Sequence, residues 1–182
     1  LSILLKAGPE KVGKTVTALT FCANAQKHYE RQVYYANIEG RLKKRDLQGI
    51  TDLSLEPEKM QIIGSTEGNI LSAEKYLSII DNIVHTQPGS LAIVDSFSAL
   101  SSESELTGNL ADVQVMSVQK VLAKFCRRIS NFFKSTFNKS HSINISWALK
   151  ILGCFVESGL SPIRSSSYSF SPGLKPVILI SI

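Results

Sequence analysis

Gly8-Pro9-Glu10-Lys11-Val12-Gly13-Lys14-Thr15 sets two glycines, a lysine and a hydroxyl at the spacing G-x-x-x-x-G-K-[ST]. That spacing suits a polyphosphate. Backbone N–H groups at a glycine turn point at the anion, and the positive end of a following helix favours negative charge there. The reading puts Gly8, Pro9, Glu10, Lys11, Val12, Gly13, Lys14, Thr15 and Val16 around a nucleotide. Lys14 reaches the β- and γ-phosphates, and the Thr15 hydroxyl ligates Mg²⁺. ATP and Mg²⁺ are the ligands this implies.

Binding is not hydrolysis. Chemistry at the γ-phosphate also needs a metal-holding carboxylate and a group that orients or deprotonates water. Asp95 closes the apolar run Leu91-Ala92-Ile93-Val94, and it is the candidate for the metal shell. An aspartate merely capping a strand is the plainer alternative. Glu39 closes another strand-like run and is the candidate for the water. An ordinary solvated loop glutamate fits that position equally well.

These side chains need elements to hold them. Residues 2–7 read as a short strand before the glycine turn, and residues 16–26 as a helix after it. Residues 32–38, 60–64 and 91–95 read as further strands, the last a continuous apolar run suited to burial on both faces. Helical spacing of apolar residues covers 70–84 and 113–129. Alternation of strand and helix predicts an α/β fold, a mostly parallel sheet flanked by helices. Asp95 and Glu39 then fall on the sheet edge that carries the phosphate loop.

A chain of 182 residues is long enough for one such domain with a real core. A net charge of +5 permits contact with nucleic acid without requiring it. The three cysteines, Cys22, Cys126 and Cys154, lie far apart and make no metal or disulfide spacing. A reducing, cytoplasmic setting is therefore expected. His28, His85 and His141 form no ligand pattern and are expected on surfaces or loops. No apolar run approaches the length needed to span a bilayer, so no membrane partner is expected, and no signal peptide is visible. The chain opens inside an expected strand and reads as a fragment.

Composition breaks near Ser130. Fourteen of the 15 acidic residues precede it, whereas the last 53 residues hold one acid, Glu157, and 13 serines. Residues 132–182 are therefore expected to be an irregular Ser-rich portion, with possible strands at 142–149 and 175–182. A slipped reading frame near Phe132 would produce such a break. Every nucleotide residue named above precedes Ser96, so ATP binding is expected to survive in part without residues 132–182.

The phosphate loop with its Gly8-Pro9-Glu10 opening, the strand ending Ile38-Glu39, and Leu91 to Asp95 followed by Ser96-Phe97-Ser98-Ala99-Leu100 resemble the ATPase core of the RecA recombinases. The likeness covers about residues 1–131, and Asn37-Ile38-Glu39-Gly40-Arg41-Leu42 is worded more like phage-type relatives. The resemblance implies a RecA-type fold with Glu39 and Lys14 as catalytic residues, and Thr15 and Asp95 at the metal. It implies that residues 105–113 form a first DNA-binding loop, with Thr107, Gly108 and Asn109 as contacts. That loop holds no Lys or Arg, so Lys120, Lys124, Arg127 and Arg128 are the nearby candidates for positive charge.

The function this implies is an ATP-dependent, single-stranded DNA-binding recombinase, a DNA-dependent ATPase of homologous recombination and repair that assembles as a homo-oligomeric filament. The family's N-terminal assembly segment, its second DNA-binding loop and its later lysines have no match here. Two alternatives are a helicase-type motor ATPase on the same core and a non-catalytic nucleotide-binding fragment.

Overall fold

The apolar runs become strands of one parallel sheet in the computed structural model, which describes residues 2–6, 8–9, 11–87, 89–108, 117–136 and 177–181. The strands are β1 (Ser2–Lys6), β2 (Val33–Asn37), β3 (Met60–Ile63), β4 (Leu91–Asp95) and β5 (Val177–Ser181). Their spatial order is β1-β5-β4-β2-β3, and every paired neighbour is parallel. Parallel strands cannot be joined by a tight turn, so helical segments carry the crossovers. These are α1 (Lys14–Tyr29), α2 (Lys44–Gln48), α3 (Ala73–Thr86), α4 (Glu103–Thr107) and α5 (Ser117–Thr136). The expected α/β class is the one observed.

Burial on both faces explains why β2 and β4 lack polar alternation. Val33, Tyr35, Leu91 and Ile93 pack against Ala18, Leu19, Cys22 and Ala25 of α1. Their strand neighbours Ala36, Ala92 and Val94 face the other way, against Tyr76, Leu77, Ile80 and Val84 of α3 and Phe125 and Ile129 of α5. Small residues on the buried face of α1 let that helix approach the sheet closely. Burial pushes the Cys22 thiol up to about 12, so it behaves as a small apolar side chain.

Local chemistry sets the helix ends. The pattern expected to begin at residue 70 begins at Ala73, because the Ser72 hydroxyl caps it by accepting from the Lys75 N–H at 3.4 Å. The short helix α2 escaped notice because one turn offers no periodicity; the Asp46 carboxylate accepts from the Lys43 N–H at 3.1 Å and starts it. α5 spans Ser117–Thr136, so it runs through residue 131, where the likeness read from the sequence stopped. Residues 177–181 enter the sheet as β5, pairing with β1 on one side and β4 on the other. The other possible strand, 142–149, lies outside the described residues.

His85 is exposed on α3, as expected of a surface residue, its ring centroid 4.1 Å from that of Phe132 on α5. Nearby, Arg128 of α5 reaches Oδ2 of Asp81 on α3 with both Nε (3.1 Å) and Nη2 (2.6 Å). His141 and Cys154 lie outside the described residues. Among the described residues no helix is long and apolar enough to cross a membrane.

Candidate nucleotide site

In a parallel sheet all strands end on the same edge, and here that edge gathers the predicted residues. The loop after β1 turns into α1 through Gly13, whose φ of 76° lies in the left-handed region that side chains disfavour. A glycine cap offers no side chain to the first turn of α1, and that turn holds no acidic residue. The helix N-terminus thus presents a positive end to the loop. Lys14 lies back across the loop, Nζ donating to the Gly8 carbonyl at 2.8 Å. The side chains of Val12 and Val16 are exposed around it. Pro9 and Lys11 are exposed loop residues, and Glu10 lies outside the described residues.

Asp95, nearly buried at the end of β4, is held from two sides. Its Oδ2 accepts from Thr15 Oγ1 at 2.8 Å and from Tyr35 Oη at 2.6 Å. Burial, with the Asp95 hydrogen bond second, pushes the Tyr35 phenol well above the usual tyrosine range, so it stays a donor. Thr15 and Asp95 therefore present two hard oxygen donors side by side. Such a pair fits Mg²⁺, which takes one or two protein oxygens and completes its shell with water and phosphate. Among the described residues no cluster of three or more His, Cys, Asp or Glu could hold a metal without such help.

Glu39 lies two residues past the end of β2. The Ile38 N–H donates to the Asp95 carbonyl at 3.0 Å, extending the β2–β4 ladder beyond the Asn37–Asp95 pair. This brings Glu39 beside Ser96, whose Oγ donates to Glu39 Oε1 at 2.6 Å. Arg41 Nη1 lies 3.4 Å from the other oxygen, Oε2. Gly40, with φ of 66°, turns the chain away directly after the carboxylate.

The described candidate DNA contacts lie on and just after α4 and along α5. The segment expected as a loop from residue 105 begins as helix, because Ser102 and Glu105 form a reciprocal capping box that starts α4. Glu105 also accepts from Ser117 Oγ at 2.8 Å, joining the start of α4 to the start of α5. The Thr107 hydroxyl donates to the Glu103 carbonyl, and the Gly108 N–H to the Ser104 carbonyl. Asn109 lies outside the described residues. Lys120, Lys124 and Arg127 are exposed along α5, whereas Arg128 is engaged with Asp81.

Sequence reasoning missed Tyr35, Ser96 and Ser98. Tyr35 read as an ordinary strand aromatic. Only the register reveals it: Asn37 pairs with Asp95, so Tyr35 sits diagonally across from the carboxylate on the same face. Ser96 and Ser98 stand within the run that resembles the family, and nothing in their spacing marks them as partners of Glu39.

Residues 3–156 match the RecA N-terminal domain family, a match that continues past the compositional break near Ser130. The chain is 30% identical over 159 residues to the mitochondrial DNA repair protein recA homolog 3 of Arabidopsis thaliana, covering 85% of this chain and 31% of that protein. It is 30% identical over 134 residues to Protein RecA of Phytoplasma mali, covering 71% and 35%. Against Protein RecA of Streptomyces ambofaciens the identity is 28% over 142 residues, covering 75% and 34%. The chain thus spans about a third of the length of the curated relatives it matches. With a parallel sheet, a glycine phosphate loop and a family match over most of its length, the chain belongs to the RecA family.

Proposed function

We propose that this chain is the ATPase core of a single-stranded DNA-binding recombinase, hydrolysing ATP with Mg²⁺ in homologous recombination and DNA repair. The observation that carries this is the meeting of the phosphate loop with two carboxylates on one sheet edge: Thr15 on Asp95 at 2.8 Å, and Glu39 tied to the residue after Asp95. The names of its relatives, a DNA repair protein and two RecA proteins, point the same way.

Each residue has a role in this reading. Gly8, Pro9, Glu10, Lys11, Val12, Gly13 and Val16 surround the phosphates, with backbone N–H groups facing the anion. Lys14 leaves the Gly8 carbonyl for the β- and γ-phosphates. Thr15 and Asp95 hold Mg²⁺, which when bound neutralises charge on the phosphates. Glu39 accepts the proton of the attacking water. The pairing of β2 with β4 through Asn37 and Asp95, with Glu39 two residues further on, supports this division of roles.

Single-stranded DNA is the proposed partner, met by Thr107, Gly108 and Asn109 with charge from Lys120, Lys124 and Arg127. Arg128 serves the α3–α5 contact first, since both its described hydrogen bonds go to Asp81. Residues 1–131 carry the nucleotide chemistry, and self-assembly into a filament and an intracellular setting belong to the same proposal. The test is ATP hydrolysis measured with and without single-stranded DNA. Turnover that DNA accelerates supports the recombinase. No turnover in either case leaves only nucleotide binding, and strand separation of a forked duplex would favour a helicase-type motor.

A further inference from the structure

We propose that Ser96 is the positioning residue for Glu39, and that Ser98 sets the direction of the Ser96 hydroxyl. This rests on the reading of Glu39 as the general base. Ser96 is 1% exposed, so water cannot readily replace its hydrogen bonds. Its Oγ lies 2.6 Å from Glu39 Oε1 and 2.7 Å from Ser98 Oγ. A hydroxyl has one proton to give. An ionised Glu39 can only accept, so the Ser96 proton points at Glu39. The Ser96 oxygen is then the acceptor toward Ser98, and Ser98 must donate. The chain of donation runs one way: Ser98 to Ser96 to Glu39.

Such a chain strengthens each link and fixes the rotation of the terminal carboxylate. Among the described residues the other oxygen, Oε2, meets Arg41, whose side chain is 77% exposed at 3.4 Å and holds it loosely. Ser96 therefore decides which carboxylate oxygen is committed and leaves Oε2 as the one able to take a proton. The hydroxyl relay also continues into the turn at Phe97–Ala99, the first part of the segment leading to α4. Anything that shifts that turn would shift Glu39.

The experiment is a double-mutant cycle between Ser96→Ala and Glu39→Gln in the full chain, read by single-stranded DNA-stimulated ATP turnover. Ser96→Ala should lower kcat by about 10- to 100-fold, the scale of one hydrogen bond to a charged group, with KM nearly unchanged. In the Glu39→Gln background it should cost almost nothing more, because its effect passes through the carboxylate. Ser98 is exposed, so Ser98→Ala folds normally and should give a smaller loss of the same kind. A second readout is independent of turnover: the side-chain carboxyl ¹³C resonance of Glu39 should move in Ser96→Ala and move less in Ser98→Ala.

An unmoved Glu39 resonance in Ser96→Ala overturns the proposal. So do losses that multiply independently in the double variant. If Glu39→Gln alone leaves turnover at the parent rate, the general-base reading fails instead, while a shifted resonance still supports the contact.

Discussion

The Thr15 hydroxyl donates to Oδ2 of Asp95 across 2.8 Å, joining the first turn of α1 to the last residue of β4. The two residues are 80 positions apart in sequence and share one donor–acceptor contact at the mouth of the phosphate loop. Mg²⁺ would be held between groups already touching. Asp95→Asn should therefore raise the Mg²⁺ concentration needed for nucleotide binding by about 10-fold or more, the scale of altering groups around a metal. Nucleotide affinity without Mg²⁺ should change little. A Mg²⁺ titration of nucleotide affinity checks this; an unchanged midpoint would remove Asp95 from the metal.

Tyr35→Phe tests the second support of the same carboxylate. The phenol is fully buried and donates to Asp95 Oδ2 at 2.6 Å, so its removal should destabilise the fold by about 1–3 kcal/mol. The alkaline limb should also change. The folded state holds the Tyr35 proton more tightly than the unfolded chain does, so this contribution is complete below about pH 10 and is lost as pH rises beyond it. Denaturant melts from pH 8 upward should show a shallower alkaline decline in the variant, the remainder coming from groups such as Tyr34.

How much of this was legible in the residues follows from what each signal depends on. The phosphate loop, β4 and the placement of Asp95 and Glu39 on one edge depend on local spacing and on the rule that parallel strands end together. Those are one-dimensional facts. Tyr35 and Ser96 are different. Their partners are set by the register of β2 against β4, which no single segment encodes. The capping box of Ser102 and Glu105 is a local signal that went unread, because the loop expected from residue 105 came from the resemblance. β5 was half legible: its apolar, β-branched run marked a possible strand, yet its seat between β1 and β4 is a long-range pairing.

That seat gives the third prediction. β1 pairs with β5, and β1 leads directly into the phosphate loop. Partial survival of ATP binding in a chain ending at residue 131, expected from sequence alone, is therefore replaced by its loss. Such a chain should show rapid amide exchange across β1 and no measurable nucleotide affinity. Affinity near that of the full chain would show that β5 does not support the loop.

Arg127 and Arg128 are neighbours on α5 with different surroundings. Arg128→Ala removes both hydrogen bonds to the nearly buried Asp81 and should lower the melting temperature. Arg127→Ala should leave it unchanged, since its described side-chain bond is to the Ala123 carbonyl on its own helix. If either arginine serves DNA, Arg127→Ala should weaken single-stranded DNA binding and flatten its salt dependence. Equal thermal shifts in the two variants would dissolve the distinction.

Glu39→Gln measures the central claim most directly. Glutamine keeps the size of the side chain and can still meet Ser96, but it cannot accept a proton from water. The proposed phosphate contacts lie on the separate unit formed by β1, the glycine loop and α1, and should be undisturbed. ATP affinity should stay near that of the parent while turnover in the presence of single-stranded DNA falls by about 10²-fold or more. Turnover at the parent rate, with affinity unchanged, would make Glu39 an ordinary rim glutamate and contradict the account.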